Sequence, residues 1–251
     1  MNRFVIVIPF YNAEKYIVRC LMSAFTQRYS EYKIVIINDA STDNTDELIN
    51  ELIKTIPIYC DFEYIVNERR MGAMYNHQWA VYNHSSGEDI VVHLDGDDYL
   101  PNKKVLSFID GFYNENDCYL MYGQYKRDTG EIGTSKPFES ESAFNSLRNL
   151  PFVFSHIRTF RSKLFYEIKV QDPNLSCFKD TKGNWLGVSC DVAMMTPLLE
   201  IAGYNKIKFN SKPLYVYNDK NPINDFKVKL MDQEKTEMYI RKQSPFLKKK
   251  F

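Results

Sequence analysis

Residues 91–100 read VVHLDGDDYL, an apolar run that passes directly into three carboxylates, Asp95, Asp97 and Asp98, with Gly96 between the first two. The apolar part has the character of a buried strand. Anions this close repel one another and raise each other's pKa unless something positive sits among them. One such partner is a hard divalent cation: Mg2+ and Mn2+ take oxygen ligands, and Mg2+ is commonly held by one or two carboxylates with substrate phosphates completing its shell. Glycine between two acids permits a turn and a close approach of backbone to ligand. The same residues also read as a solvated acidic turn in which Asp98 caps the following helix.

Two further polar clusters follow apolar runs. In IINDASTDNT, Asp39 stands at a strand end, where a carboxylate can accept hydrogen bonds from a base edge or a ribose hydroxyl. The alternative is an Asx turn and helix cap, and for Ser41 and Asp43 that local role is the preferred one. In NERRMGAMYN, Arg69 and Arg70 stand close to Gly72, where guanidinium groups could neutralise a diphosphate while the Asn76 amide bonds a base or sugar. Alternatively they form a solvated helix start. The chain has neither GxxxxGK[ST] nor a strand-linked GxGxxG, which counts against nucleotide hydrolysis and dinucleotide redox chemistry.

These clusters need elements that bring them together. RFVIVIPF, YKIVIIND, CDFEYIVN and EDIVVHLD are strand candidates. Helical periodicity follows in Tyr16, Ile17, Cys20, Leu21, Ala24 and Phe25 behind Asn12 as N-cap, in STDNTDELINELIKTI, and near Ala73 to Tyr82. Alternating strands and helices of this length predict βαβ units and a mainly parallel sheet covered on both faces. Ligands of such sheets bind beyond the carboxyl ends of the strands, so PFYN, NDASTDN, NERRMG and DGDD should converge on one edge. Beyond Leu100 the pattern predicts a helix near Lys103 to Tyr113, a strand at CYLMYGQY, irregular sequence with helical pieces over 129–189, a helix at DVAMMTPLLEIAG ending on Gly203, and strands at KIKF and PLYVY.

Composition bounds the partners. The 251 residues are 44% hydrophobic and 25% charged, with 32 residues of each sign, as in an ordinary globular domain able to bury one large core. A formal charge of zero supplies no basic field for nucleic acid and no acidic excess for disorder. Five scattered cysteines without a CxxC pair fit reduced thiols in a cytosolic setting and argue against zinc. The opening MNRFVIVIPF is too short for a membrane span and lacks a small-residue cleavage site, so neither a signal peptide nor an anchor is expected there. The terminal SPFLKKKF offers lysines that could touch an anionic membrane surface.

FVIVIPFYNAEKYIVRCLMS, IVIINDASTDNT and VVHLDGDDYL, in that order and at these separations, resemble family 2 glycosyltransferases of the GT-A fold. The likeness covers roughly residues 3 to 100 and is thinner beyond. It implies a Rossmann-like α/β fold with a mixed, mainly parallel sheet flanked by helices, and a nucleotide-sugar, usually a UDP-sugar, bound at the sheet edge. By matching positions, Pro9 and Tyr11 border the nucleotide pocket, Asp39 binds the uracil or ribose region, Asp95 lies by the ribose, and Asp97 holds a divalent metal, Mn2+ or Mg2+, that bridges the diphosphate. Asn12, Arg70, Gly72, Asn76 and Gly96 complete the donor side. Where members often carry Arg-Asn this chain has Tyr75 and Asn76, and where many carry Glu-Asp before the late helix it has Cys190 and Asp191. Some relatives add a late histidine to the metal site, and the comparable strand end here carries Tyr217 and Asn218.

Sugar transfer to a hydroxyl needs a carboxylate that removes the proton as the bond forms, and Asp191 is the candidate base. It also reads as the N-cap of its helix, and the two roles are compatible. His156, Arg158 and Arg161 could face the phosphates or the acceptor, or be a structural histidine and surface arginines. Trp185, in a Gly-flanked loop, could stack on a sugar ring or pack into the core. His93 is expected buried, and His77 and His84 lie on a helical stretch with no partner pattern. The resulting expectation is one GT-A domain over residues 1–251: a nucleotide-sugar half (1–100), an acceptor half (101–220) and a helical tail (221–251). Its function would be inverting, metal-dependent transfer of a single sugar from a UDP-sugar to a hydroxyl on a glycan, with no nucleic acid partner. The alternatives are a nucleotide-sugar-binding module without catalysis and, on a related sheet, a sugar-nucleotide pyrophosphorylase, whose glycine-rich phosphate loop is missing here.

Overall fold

The computed structural model describes residues 1–221 and 230–251. Strands and helices alternate through β1 (Phe4–Phe10), α1 (Ile17–Phe25), β2 (Tyr32–Asn38), α2 (Thr45–Thr55), β3 (Asp61–Val66), α3 (Ala73–His84), β4 (Ile90–His93), α4 (Val105–Asn116) and β5 (Leu120–Gly123). The second half adds β6 (Lys126–Arg127), α5 (Glu141–Phe144), β7 (Thr159–Arg161), α6 (Ser162–Gln171), α7 (Cys190–Ala202), β8 (Ile207–Asn210), β9 (Val216–Tyr217) and α8 (Leu230–Lys242).

Seven strands form one sheet in the order β3-β2-β1-β4-β7-β5-β8, and β6 pairs with β9 beside it. All neighbours in the large sheet are parallel except β7, which runs antiparallel to both β4 and β5. The fold is thus an α/β domain with a mixed, mostly parallel sheet. All seven residues of β1 are buried, because a central parallel strand is covered by helices on both faces. Its side chains divide by the period of two: Val5 and Val7 enter a core shared with α3, α6 and α7, while Phe4, Ile6 and Ile8 enter the core packed by α1, α2 and α4. Burying each such side chain contributes about 1.5–3 kcal/mol. The edge strand β3 places Asp61, Glu63 and Val66 at the surface, and charges on an edge discourage pairing with another chain.

Expected strands appear at each of the seven predicted segments. Within 129–189, where helical pieces were expected, the ten-residue helix α6 forms, and the three-residue β7 was not anticipated. The first helix also starts later than Asn12. Its first helical residue is Ile17, and Asn12 has a left-handed backbone with φ of 51°. The Asn12 side chain accepts instead from the Thr42 N–H at 2.8 Å, joining the loops after β1 and β2. His84, read as lacking a partner, lies 3.3 Å from Glu63.

The last part of the chain is fastened to α7 by one largely buried ion pair, its side chains 13% and 10% exposed. Arg148 donates to both carboxylate oxygens of Glu200, at 2.6 and 2.9 Å, and to the Ile240 carbonyl at 2.7 Å. The same Glu200 accepts from the Phe246 N–H. Past α8 the chain is extended, with the Lys249 N–H bonded to the Ile201 carbonyl and the Lys249 ammonium 3.4 Å from Glu167. Of the expected helical tail over 221–251, α8 forms one part, and residues 222–229 lie outside the described residues. Removing one partner of a buried pair leaves the other charge uncompensated, so Arg148→Ala should cost about 3–5 kcal/mol. Urea unfolding monitored by circular dichroism measures this; a loss under about 1 kcal/mol would show that the pair adds no more than a surface bridge.

Candidate active site

The acidic turn begins where β4 ends. A Cβ at Gly96 would lie 2.4 Å from Cβ of Phe10, so the turn can rest on the end of β1 only with glycine there. The close approach is therefore to the protein's own core. From below, the Cys20 thiol donates to the Asp95 carbonyl at 3.5 Å.

Asp98 is buried and hydrogen-bonded through both oxygens. Its two oxygens accept from the Tyr215 hydroxyl at 2.6 Å and the Asn218 N–H at 2.7 Å. It does not cap the next helix: α4 starts several residues later, behind Lys104, with no side-chain cap. Long-range partners claim the carboxylate first. Burial, then the charges of Asp97 and Asp95, push its pKa well above the usual range against the pull of Tyr215 and Asn218. Asp97 accepts from the Asn221 amide at 2.7 Å. Burial raises its pKa too, with Asn221 opposing and Asp95 adding to the rise.

A guanidinium reaches this turn from behind. Arg158 lies with Nη2 3.9 Å from Asp95 and Nη1 3.4 Å from Asp191; its side chain is 7% exposed, whereas the two carboxylates are about 40% exposed (41% and 40%). It joins the end of β4 to the start of α7, with both acids open to solvent. His156, whose ring stacks on Tyr215 at 4.2 Å, is 2.9 Å from Arg158 through Nδ1. Burial, and then the adjacent Arg158 charge, push its pKa well below the usual value, so it is neutral. Arg161 is directed away, to Asn2 and the Glu88 carbonyl at the opposite edge of the sheet.

Asp95, Asp98 and His156 present possible ligand atoms within 4.8 Å of one another. Asp98 is already committed to Tyr215 and Asn218, and a cation beside His156 would stand against the Arg158 guanidinium. The remaining oxygen donors are Asp95, which is open to solvent, and, one residue beyond Gly96, the largely buried Asp97, one oxygen of which accepts from Asn221. Two such carboxylates suit a hard divalent cation held without a full protein cage.

On the other flank, Asp39 organises the loop that leads into α3. Its carboxylate accepts from the Asn67 amide and the Met71 N–H, both at 2.8 Å, and from the Gly72 N–H at 2.9 Å. Gly72 has φ of 90°, a conformation open to glycine and costly for other residues. Burial alone would raise the Asp39 pKa; these donors outweigh it and hold the group below the usual carboxylate value. Arg70 is 3.9 Å from Asp39 and lies 3.7 Å over the Tyr11 ring. Pro9 is buried within β1. Asn76 is buried on the first turn of α3 and accepts from Asn67 at 2.9 Å. The contacts of Asn12 with Thr42, Tyr11 with Arg70 and Gly96 with Phe10 bring the four polar clusters to one rim, as the parallel-sheet rule predicts.

Asp191 lies in the first turn of α7 without capping it. The cap position is Ser189, in a left-handed conformation, and Asp191 bonds to the N–H of Val192. Trp185, half-buried, meets Tyr75 of α3 edge to face at 5.6 Å, with the Lys179 ammonium 4.8 Å from its ring. Tyr215 and Asn221 were not singled out in the sequence, and Asn218 was named only as standing, with Tyr217, where some relatives place a metal-site histidine. The signal for Tyr215 was the strand-like PLYVY, and the bridge between Tyr99 and Val216 that sets these residues against the acidic turn is long-range.

With this geometry in hand, the Glycosyl transferase family 2 profile matches residues 5–169. The chain belongs to this family. Among curated relatives, glycosyltransferase GlyA of Streptococcus pneumoniae is 23% identical over 67% of this chain and 26% of its own length. The poly(ribitol-phosphate) beta-glucosyltransferase of Bacillus spizizenii is 28% identical over 67% of this chain and 26% of its own. The chain thus spans about a quarter of their length. Among solved structures, TarS 1-349 of S. aureus in complex with UDP has a TM-score of 0.64 at 21% identity, covering 94% of this chain and 65% of that one. The mannosyltransferase PcManGT of Pyrobaculum calidifontis, solved with GDP-Man and Mn2+, has a TM-score of 0.64 at 16% identity, covering 97% and 66%. The fold of this glycosyltransferase is GT-A.

A pH test isolates the Asp39 network. Because the folded-state pKa is depressed, the stability this group supplies is present above its unfolded value near 3.8 and is lost as pH falls through the folded value. Asp39→Asn should cost about 1–3 kcal/mol at neutral pH, and urea midpoints of the two proteins should approach each other below pH 3.8. A gap independent of pH would mean that the charge of Asp39 contributes nothing.

Proposed function

We propose that the chain transfers a single sugar from a UDP-sugar to a hydroxyl of a glycan acceptor, with inversion at the anomeric carbon and with a divalent cation. The observation that carries this is Arg158 set between Asp95 and Asp191, which joins the donor-side acidic turn to a solvent-open carboxylate on one rim. Support for UDP comes from the TarS structures solved with UDP and with UDP-GlcNAc, and support for the cation from PcManGT with Mn2+.

In this reading residues 1–100 bind the donor and residues 101–220 the acceptor. Uracil stacks on Tyr11 once Arg70 lifts off that ring, beside Pro9 and Asn12, while Asp39, Gly72 and Asn76 bound the base and ribose. Asp95 and Gly96 face the ribose and diphosphate, and Asp95 with Asp97 holds the cation. A bound Mg2+ or Mn2+ supplies positive charge to the departing diphosphate. Asp191 takes the proton from the acceptor hydroxyl as its oxygen attacks the anomeric carbon, and the bond from that carbon to the phosphate oxygen breaks on the opposite face with its electron pair leaving on UDP. Arg158, 3.4 Å from Asp191, orients that carboxylate for the step. His156 orients Arg158, and Trp185 with Tyr75 forms an aromatic wall on the acceptor side.

Incubation with Mn2+ and a panel of UDP-sugars, read by UDP release in the presence of glycan acceptors, tests the reaction itself. Asp191→Asn should retain donor affinity and lower turnover by about 10²-fold or more; a near wild-type rate would remove it from the mechanism. Asp97→Ala should abolish the Mn2+ dependence of UDP affinity in calorimetry while the fold stays intact. Unchanged Mn2+-dependent affinity would transfer the metal site elsewhere.

A further inference from the structure

We propose that His77 and His93 are positioning residues that hold the Arg158 guanidinium in register between Asp95 and Asp191; the inference rests on the transferase reading above. The contacts of Arg158 with its two carboxylates, 3.4 and 3.9 Å, are longer than hydrogen bonds. The acids in front therefore do not fix its place; His156 holds the Nη2 end at 2.9 Å, and the Nε side is left to the groups behind.

Those groups are set by sheet register. β4 and β7 pair antiparallel with Val92 opposite Thr159, which places His93 opposite Arg158, and the His93 N–H donates to the Arg158 carbonyl at 3.3 Å. Residues directly opposite in an antiparallel pair share a face, with Cβ atoms about 4.5–5.5 Å apart. α3 lays His77 on His93, ring centroids 4.2 Å apart, and the Phe160 ring closes the other side at 5.3 Å. Both imidazoles are nearly inaccessible, at 5% and 3% exposure.

This face of the sheet otherwise carries Val5, Val7, Val91 and Phe160. Two imidazoles among such residues cost free energy unless they serve a polar group. The buried polar atoms without a hydrogen-bond partner among the described residues include His77 Nδ1, both ring nitrogens of His93 and Nε of Arg158. Buried polar atoms are nearly always paired. Four unpaired ones on neighbouring residues complement each other: the Arg158 Nε–H is a donor, and each neutral imidazole offers one acceptor nitrogen. A small ring rotation or a single bridging water completes the bond. The histidine pair then acts on catalysis only through Arg158, touching neither donor nor acceptor.

His93→Phe keeps the ring packing and removes both nitrogens, whereas His93→Gln keeps an acceptor. With the UDP-sugar that gives turnover, His93→Phe should lower kcat by about 10- to 100-fold, the scale of an ångström-sized misplacement. UDP affinity by calorimetry should stay within about twofold, and His93→Gln should restore most of the rate. His77→Phe should act in the same direction. A wild-type kcat for His93→Phe, or Phe and Gln variants that lose rate equally and in step with melting temperature, would overturn the proposal. If the wild-type chain releases UDP from no donor, the transferase reading fails by itself. The crystal structure of His93→Phe then decides the positioning question: Arg158 displaced from Asp191 upholds it, and Arg158 unmoved overturns it.

Discussion

Asp95, Asp97 and Asp98 stand within four consecutive positions, and two unit charges a few ångström apart near a protein surface repel by about 4 kcal/mol. The rest of the site can be understood from how that repulsion is contained. Asp98 is withdrawn into the core and given to Tyr215 and Asn218; Asp97 receives Asn221; Asp95 is left solvent-open with a buried guanidinium behind it. The three acids are therefore chemically different although they are neighbours. Asp98 serves as an anchor that locks the turn to β9, and this anchoring leaves Asp95 facing solvent with Asp97 beside it on Asn221.

The remaining positive charge has to enter at the carboxyl edge of a parallel sheet, and the topology supplies it through one reversed strand. Because β7 runs antiparallel to β4 and β5, its beginning lies at the edge where its neighbours end. Residues just before it, His156 and Arg158, consequently arrive at the acidic turn, and Arg161 at its far end reaches Asn2 and Glu88 on the other side. A parallel strand in that place would have exchanged these roles. The strand's three residues thus decide which of two nearby arginines can take part in the chemistry.

Much of the donor side was legible in the sequence, for physical reasons. β1, β2 and β4 are β-branched runs long enough to be recognised as buried strands, and the rule that parallel strands open their ligand site at one edge then gathers Tyr11, Asp39, Arg70 and Asp95 without further information. What escaped was decided by distant partners. Asn12, Asp98 and Asp191 all looked like helix caps, since short polar side chains before a helical run usually are. Asn12 instead binds Thr42, Asp98 binds the residues flanking β9, and Asp191 lies within the first turn of α7, 3.4 Å from Arg158. Tyr215 was invisible as a site residue because its role depends on a bridge between positions more than a hundred residues apart. β7 is too short for any periodicity to register.

The two flanks of the site are built to different standards of rigidity. Asp39 draws three donors from one loop and fixes it against β2, with the Arg70 side chain lying on Tyr11 beside it. On the flank of Asp191 the contacts are looser among the described residues: Asp191 accepts from the adjacent Val192 N–H, and Trp185 is held by ring contacts with Tyr75 and by Lys179. Arg158 is the strongest charged link from the donor turn to that flank. Asp95, Arg158 and Asp191 therefore form one electrostatic unit, in which moving any member changes the field felt by the other two. Energies of such mutually contacting groups do not add. The electrostatic setting of Asp191 is accordingly a property of the whole buried column of side chains, from the sheet interior to the solvent-facing carboxylates.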